Sequence, residues 1–189
     1  MLSRLPVTRH EILDLRSQQR TAQLVEVQVD GCHLVFVNGH FYWAPGAHGA
    51  RVRQVRTMLA WVAAVAPGTP VIVCGDFNAV PGSPTITMMK ETFASALERA
   101  HGCEPSYTCP TPLVCGGRVR GPVTRTVLRL FSNTPGEPWR GTLDYIFVSP
   151  GVSVIRCELF LDRPSAQDAT LYASDHFGLA ATLAISEAR

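Results

Sequence analysis

Apolar residues are arranged along the chain in short alternating or β-branched runs and in one long helical stripe. The run Gln23–Val29 alternates apolar and polar residues and ends at Asp30-Gly31, a dipeptide typical of a two-residue hairpin turn. His33–Asn38 then returns as the partner strand. These residues are therefore predicted to form a β-hairpin.

A helix is predicted from about Arg51 to Ala66, where apolar residues recur every three or four positions. Pro67-Gly68 ends this helix. Arg53 and Arg56, near its amino end, are predicted to face solvent. The predicted buried stripe consists of Val52, Val55, Leu59, Val62 and Ala66.

The remaining elements follow from shorter signals. Ser83-Pro84 pairs a capping residue with proline at the first helical position, so a helix is predicted from Pro84 through Lys90. Another short helix is predicted near 94–99. Residues 101–140 have no clean period, and we expect a flexible insertion or active-site loop around 110–137. Further strands are predicted at Val71–Cys74, Thr142–Ser149, Val152–Leu161 and Phe177–Ile185.

Composition places the chain among globular proteins. Its 189 residues suffice for one domain with a full core, and an apolar content of 46% with 17% charged residues argues against disorder. No apolar run approaches the roughly 20 residues of a membrane-spanning helix, so no membrane partner is expected. The net charge of +2 excludes a wholly polybasic surface.

The six cysteines are not spaced like the ligands of a structural zinc site. We expect free thiols in a reducing compartment, hence a cytoplasmic protein, with nuclear and mitochondrial locations left open. A disulfide among the loop cysteines at 103, 109 and 115 is the alternative.

Polar side chains follow several of the predicted strands. Asp76 and Asn78 come directly after the Val71 strand and are two residues apart, which predicts that they share one side of an extended backbone. Carboxylates at the ends of buried strands often build catalytic sites, although turn capping is the alternative. The full set at strand ends is Asn38, His40, Asp76, Asn78, Asp144, Asp175 and His176.

The loop after His40 carries three consecutive aromatic residues, Phe41-Tyr42-Trp43. They are either hydrophobic plugs beneath the loop or a wall on which a base or sugar stacks. Both interpretations remain open from the sequence.

Four strand-end motifs in this order resemble those of the endonuclease/exonuclease/phosphatase superfamily. They are Asn38-Gly39-His40, Gly75-Asp76-Phe77-Asn78, Leu143-Asp144-Tyr145-Ile146-Phe147 and Ser174-Asp175-His176. The segment His40–Pro45 followed by Arg51 and Gln54 resembles the deadenylase-like group, which includes carbon-catabolite-repressor-type deadenylases, nocturnin, Angel proteins and 2′,5′-phosphodiesterase. Glu104-Pro105-Ser106-Tyr107-Thr108 and Trp139-Arg140-Gly141 also fit that group.

The resemblance implies a four-layer α/β/β/α sandwich of two mixed sheets. It also implies hydrolysis of phosphodiesters with Mg²⁺ as cofactor and Mn²⁺ as the alternative. Asp76 would activate and orient water, with Asn78 steadying it. Asp144 would hold the imidazole of His176, which donates to a phosphoryl oxygen, and His40 would contact the phosphate from the other side. Asp175 is the expected metal ligand. The expected substrate-binding residues are Asn38, Trp43, Pro45, Arg51, Tyr107 and Trp139.

One departure from the family is clear in the sequence. The family's opening strands, which bear an Asn and the Glu that is its principal metal ligand, are not matched, so the chain is expected to be about the carboxyl-terminal two thirds of one domain. A truncated gene model or clone, a segment supplied by another polypeptide and a degenerate homologue are the three explanations, and the first is preferred. Because that Glu is not matched, the chain alone is expected to hydrolyse RNA poorly or not at all.

The leading interpretation is a 3′–5′ exoribonuclease that acts on adenosine-rich RNA ends. The alternatives are a phosphatase or phosphodiesterase acting on a small adenine nucleotide and a non-catalytic RNA-binding remnant. Lipid-directed relatives are disfavoured by the arginine-rich residues 118–129.

Overall fold

The structure is a computed structural model that describes residues 1–44, 46–109 and 140–185. The loop predicted around 110–137 lies outside these residues, as do Pro45 and Trp139. The strands are β1 (Val7–Asp14), β2 (Thr21–Val29), β3 (Cys32–His40), β4 (Val71–Asp76), β5 (Ala94–Ser95), β6 (Asp144–Val148), β7 (Val152–Phe160) and β8 (Gly178–Ile185). The helices are α1 (His48–Val65), α2 (Pro84–Lys90) and α3 (Ala96–His101).

Two sheets form the centre of the molecule. The larger has six strands in the order β1-β2-β3-β4-β6-β5, and the smaller pairs β7 with β8. The β3–β4 pair is parallel and the other pairs of the larger sheet are antiparallel, so this sheet is mixed. The smaller sheet is antiparallel within the described residues. The predicted α/β sandwich is confirmed, and its mixed character belongs to the larger sheet.

Each face of the larger sheet is covered by a different layer. Helices α1 and α2 cover one face, where Met58 and Ile86 are fully buried. The other face packs on the smaller sheet through Ile72 and Val152. Burying an aliphatic side chain of this size contributes about 1.5–3 kcal/mol. Helix α3 packs at the end of this second interface, against Ile146 of β6 and Cys157 of β7.

The predicted hairpin is confirmed. Strands β2 and β3 pair antiparallel, with Val25 opposite Phe36, and the turn places Asp30 and Gly31 in the left-handed region at φ 50° and 84°. Strand β1 was not predicted. It lies at the edge of the sheet and alternates exposed with half-buried residues, so its sequence lacks the apolar run of a buried strand.

Helix α1 is confirmed, but its buried face differs from the predicted stripe. Two polar residues, Arg51 and Gln54, are buried on this face, whereas Val52 and Leu59 are only half-buried. Both polar side chains make hydrogen bonds to backbone groups, which offsets the cost of burying them. Hydrophobicity alone therefore misplaced the face by about one residue. The other buried residues of the helix are Val55, Met58 and Val62.

The five described cysteines are free thiols. Among the described residues, no helix is both long and apolar enough to cross a membrane.

Candidate active site

Neighbouring strands bring three polar side chains into one row across the sheet. His40 at the end of β3 lies beside Asp76 at the end of β4, in the parallel register. Asp76 in turn lies opposite Asp144 at the start of β6. His176, from the loop before β8, contacts the Asp144 end of this row. One ligand atom from each of Asp76, Asp144 and His176 lies within 4.8 Å of the others.

A layer of aromatic rings supports this row. Each row residue is followed by an aromatic residue, and because successive side chains point to opposite faces, these rings are buried beneath it. The first two rings stack with centroids 4.6 Å apart, and the second meets the third edge-on at 5.7 Å. The row is thereby held by the core. The three aromatic residues are Phe41, Phe77 and Tyr145.

Gly75 permits the close approach of β3 and β4 beside the row. Its φ is 133°, a conformation that favours glycine. A Cβ atom at this position would also lie far inside van der Waals contact with the carbonyl oxygen of Gly39. The pairing of these two glycines therefore sets the register that aligns His40 with Asp76.

Asp144 is held by Thr108 and binds the imidazole of His176. The Nδ1 of His176 lies 2.8 Å from Oδ2 of Asp144. The hydroxyl of Thr108 donates to the same oxygen at 2.6 Å and accepts from the amides of Leu143 and Asp144 at 2.9 and 3.2 Å. Because a backbone N–H group can only donate, the hydrogen of the Thr108 hydroxyl must point to Oδ2 of Asp144.

Thr108 is fully buried, and the sequence interpretation assigned it no role. Its only signal was its place beside Tyr107 in a segment that resembled the family. A threonine that organises a carboxylate from a distant strand has no local pattern, so its role is visible only in three dimensions.

Hydrogen bonds raise the pKa of His176, and burial raises that of Asp76. The hydrogen bond to Asp144, with a further one to Cys109, raises the pKa of His176 to about 11, so this imidazole is positively charged at neutral pH. Burial and the charge of Asp144 raise the pKa of Asp76 to about 6. The site therefore pairs a cation with a carboxylate that accepts protons near neutrality.

Asn78 reaches Asp76 by a turn and not by strand alternation, which corrects the sequence interpretation. Strand β4 ends at Asp76, and Asn78 adopts a left-handed backbone with φ 48°. Its amide N–H donates to Oδ1 of Asp76 at 2.7 Å. Its Nδ2 donates to Oδ2 of Asp76 and to the carbonyl of Phe41, both at 3.1 Å. Both oxygens of Asp76 are thereby oriented.

His40 lies between Asp76 and Arg20. Its Nε2 is 3.4 Å from Oδ2 of Asp76, and its Nδ1 is 2.8 Å from Nη1 of Arg20. Burial, followed by the charge of Arg20, lowers the pKa of His40. Arg20 comes from the β1–β2 turn, and the sequence interpretation did not select it because its turn is distant in sequence from every motif.

The aromatic residues predicted to bind substrate differ in how far they are exposed to solvent. Trp43 is 57% exposed on the loop after β3, whereas Phe41 is the buried plug beneath that loop. Tyr107 is half-buried against Phe177 at 5.4 Å, with the guanidinium of Arg140 4.8 Å from its ring. Trp43 therefore presents an exposed ring, whereas the ring of Tyr107 already contacts Phe177 and the guanidinium of Arg140.

Of two further predicted substrate-binding residues, Arg51 is buried away from solvent, whereas Asn38 stays a candidate. Arg51 is 3% exposed, and its Nη1 donates to the carbonyls of Tyr42 and Ala44 at 3.2 and 2.8 Å. It therefore positions the aromatic loop, and its buried guanidinium does not face a substrate. Asn38 is exposed, and its Oδ1 accepts a weak hydrogen bond from the thiol of Cys74 at 3.8 Å. Pro45 and Trp139 lie outside the described residues, so their substrate contacts stay predictions.

The candidate metal ligands differ from the sequence prediction. Among the described residues, the group that could hold a metal ion is Asp76, Asp144 and His176, and Asp175 is not part of it. Asp175 is exposed and accepts a hydrogen bond from the hydroxyl of Ser174 at 3.3 Å. Because Nδ1 of His176 already binds Asp144, the carboxylate oxygens are the better ligands for a hard cation.

Sequence comparison relates the chain to known proteins. The profile described as the endonuclease/exonuclease/phosphatase family matches residues 1–176. 2′,5′-Phosphodiesterase 12 of Mus musculus is 26% identical over 199 residues, which cover 94% of this chain and 30% of that protein. Carbon catabolite repressor protein 4 homolog 4 of Arabidopsis thaliana is 28% identical over 158 residues, covering 76% of this chain and 34% of the relative. The chain thus spans about a third of these relatives.

Solved structures with the same fold include D. rerio TDP2 complexed with a single-strand DNA product. It superposes with a TM-score of 0.71 at 20% identity, covering 96% of this chain and 69% of that one. The human Nocturnin catalytic domain with bound sulfate gives a TM-score of 0.66 at 22% identity, covering 95% and 60%. At these identities the likeness concerns the fold.

Proposed function

The chain belongs to the endonuclease/exonuclease/phosphatase family, and on that premise we propose that its site hydrolyses phosphodiester bonds with the help of a divalent cation. The observation that supports this proposal best is the geometry of His40, Asp76, Asp144 and His176. One row combines a proton acceptor, a charged imidazole and a second imidazole within reach of a single phosphate.

The proposed roles follow from the contacts of each side chain. Asp76 accepts the proton of the attacking water, with Asn78 holding both of its oxygens in place. His176 donates from Nε2 to a phosphoryl oxygen, where negative charge develops in the transition state, while Asp144 binds its Nδ1. His40, whose Nε2 lies beside Asp76, donates to the phosphate from the side opposite to His176.

The residues of the row fit a divalent cation. Asp76 and Asp144 face each other across paired strands, and burial, followed by the negative charge of Asp144, raises the pKa of Asp76. Their carboxylate oxygens would hold Mg²⁺, or Mn²⁺, with Asp175 as a further candidate ligand from the sequence. When bound, the ion would supply positive charge at the phosphoryl oxygens.

The proposed substrate is the adenosine-rich 3′ end of an RNA, cleaved in the 3′–5′ direction to nucleoside monophosphates. Exposed Trp43 and half-buried Tyr107 offer faces on which bases stack, at about 1–3 kcal/mol per base. The names of two relatives, a 2′,5′-phosphodiesterase and a carbon catabolite repressor homolog, support a nucleotide polymer as the class of substrate.

The test uses purified chain in excess over a 5′-labelled oligo(A), with Mg²⁺, Mn²⁺ or EDTA. We expect slow, metal-dependent shortening from the 3′ end with release of AMP, and loss of this activity in Asp76→Asn and His176→Ala. Asp168→Asn, which changes an exposed carboxylate in the loop before β8, is the matched control. Shortening that persists in Asp76→Asn, or none at all from folded chain, would contradict the proposal.

A second assay separates the candidate substrates. The relative named 2′,5′-phosphodiesterase 12 favours comparison of 2′,5′-linked with 3′,5′-linked oligoadenylates. Faster cleavage of long 3′,5′-oligo(A) supports an exoribonuclease, whereas a preference for a dinucleotide supports an enzyme of small nucleotides. Oligo(A) binding that is unaffected by EDTA and by Asp76→Asn, without cleavage, identifies a non-catalytic RNA-binding protein.

A further inference from the structure

The turn between β1 and β2 reaches both sides of the candidate site. Arg20 places its Nη1 2.8 Å from Nδ1 of His40. Gln18, two residues earlier, accepts a hydrogen bond from the amide of Trp43 at 3.3 Å. One short segment, from Leu15 to Arg20, therefore contacts the imidazole of the row and the backbone of the aromatic loop.

This turn is held in an unusual conformation. Arg16, Gln18 and Gln19 all have left-handed backbones, with φ 59°, 54° and 53°. Conformations of this kind are costly for residues other than glycine and persist where surrounding contacts determine them. The amide of Leu15 closes the turn by donating to the carbonyl of Arg20 at 2.9 Å.

A single buried side chain ties the turn to the aromatic loop. Gln54 of α1 is 2% exposed. Its Nε2 donates to the carbonyls of Leu15 and Ser17 at 3.5 and 3.3 Å, and its Oε1 accepts from the amide of Tyr42 at 2.8 Å. The turn that carries Arg20 is thus fixed relative to the strand end that carries His40.

The chemistry of the two side chains determines where the proton of His40 lies. A guanidinium can only donate hydrogen bonds, so Nδ1 of His40 must accept and carries no proton. The proton of the neutral ring therefore resides on Nε2, the nitrogen that faces Asp76. In histidines generally, the hydrogen bond made by one ring nitrogen determines whether the other ring nitrogen carries the proton.

We propose that Arg20 is a positioning residue that holds His40 as the tautomer protonated on Nε2 and keeps that N–H directed into the site. The donated hydrogen would then be available to a phosphate oxygen, a use of His40 that rests on the proposed function. The tautomer itself depends only on the contact between Arg20 and His40.

The test measures both ring nitrogens of His40 by long-range ¹H–¹⁵N correlation at pH 8. In the unaltered chain we expect an unprotonated, hydrogen-bonded Nδ1 and a proton on Nε2. In Arg20→Met the Nδ1 resonance should move to that of an unbonded nitrogen and the ring should exchange between tautomers. Arg20→Lys, which keeps a donor, should restore the original spectrum.

The matched control is Arg16→Met, which removes an exposed arginine from the same turn. It should leave the spectrum of His40 unchanged. A proton on Nδ1 in the unaltered chain would overturn the proposal, whether or not any variant folds. Unchanged resonances in a folded Arg20→Met would do so as well.

Activity gives a separate readout. If the chain shortens oligo(A), Arg20→Met should slow it about 10–100-fold, as loss of a supporting partner usually does, and Arg20→Lys should recover part of the rate. Absence of turnover in every form would count against the proposed function, while the spectra would still decide the role of Arg20.

Discussion

Asp76 and Asp144 are cross-strand neighbours on β4 and β6, so two carboxylates face each other at the centre of the candidate site. Like charges in this position destabilise a sheet. Burial and this neighbour together raise the pKa of Asp76 from 3.8 to about 6. The pair therefore weakens the fold at neutral pH in a way that a cation or a substitution can relieve.

We expect Asp76→Asn to stabilise the metal-free protein at pH 7–8. A carboxyl whose pKa is raised in the folded state contributes stability below 3.8 and loses it as pH rises through about 6. The shift of about two units corresponds to about 3 kcal/mol at ~1.4 kcal/mol per unit, and a net gain of about 1–2 kcal/mol is expected after the loss of one acceptor for Asn78.

Urea unfolding in EDTA at pH 4 and pH 8 measures this difference. Most of the variant's advantage should be lost at pH 4, where the wild-type carboxyl is protonated in the folded state and close to half-protonated in the unfolded state. An equal free energy of unfolding for the two proteins at pH 8 would contradict the expectation.

Divalent cations should stabilise the protein through the same carboxylates. At ten times the dissociation constant, Mg²⁺ adds about 1.4 kcal/mol to the free energy of unfolding. Asp76→Asn should remove this gain, and Asp168→Asn should retain it. Melting curves with increasing Mg²⁺ also test the role of Asp175. If Asp175→Asn abolishes the stabilisation by Mg²⁺ and Asp76→Asn does not, Asp175 is the metal ligand, as the sequence predicted.

Thr108→Val should destabilise the protein and impair the site together. The substitution keeps the shape of the side chain but leaves two amides and the carboxylate of Asp144 without their hydroxyl partner. Buried donors without partners cost about 1–3 kcal/mol each, so a loss of about 2–4 kcal/mol is expected. Thr108→Ser, which keeps the hydroxyl, should lose much less. Similar unfolding midpoints for both variants would show that the hydroxyl is dispensable.

His176 should remain protonated across the physiological range because of Asp144. Its raised pKa of about 11 means that the stability contributed by the charged pair is complete below 6.5 and is lost only as pH approaches 11. Proton NMR of the imidazole should therefore show no titration from pH 5 to 9. In Asp144→Asn, titration should return to that interval; a midpoint between pH 5 and 9 in the unaltered chain would refute this expectation.

Gly75→Ala should separate the strands that align the row. The added Cβ combines an unfavourable φ with a collision against the backbone of Gly39. Backbone strain and overpacking together are expected to cost about 3 kcal/mol or more. Gly31→Ala provides the control, because its φ is also positive but its surroundings are open, so about 1 kcal/mol is expected. Equal losses, measured by urea unfolding, would exclude the collision.

The sequence predicted those parts of the fold whose signals are local. The turn Asp30-Gly31 and the helix from Pro84 both correspond to elements of the structure, although the side chain of Ser83 makes no capping hydrogen bond. Strand β1 escaped prediction because an edge strand needs no continuous apolar run. The buried face of α1 was misplaced because Arg51 and Gln54 are buried through hydrogen bonds, which no hydrophobicity pattern indicates.

The candidate site was predictable where each residue lies at or just beyond one end of a strand and belongs to a motif. Asp76, Asp144 and His176 were selected on that basis, and the structure brings them together. Thr108 and Arg20 act on these residues through contacts between distant segments, so no spacing in the sequence reveals them. The conformation of Asn78 was likewise invisible, because a left-handed turn and an extended strand both place it near Asp76.

The parallel pairing of β3 with β4 has a consequence for how the protein folds. The β2–β3 hairpin closes a two-residue loop, whereas His40 meets Asp76 only after α1 has docked, and Asp76 meets Asp144 across a still longer separation. Contacts between residues distant in sequence tend to form late, because the chain loses the entropy of loop closure before the contact contributes any stabilising free energy. We therefore expect the row to form after the β2–β3 hairpin during folding.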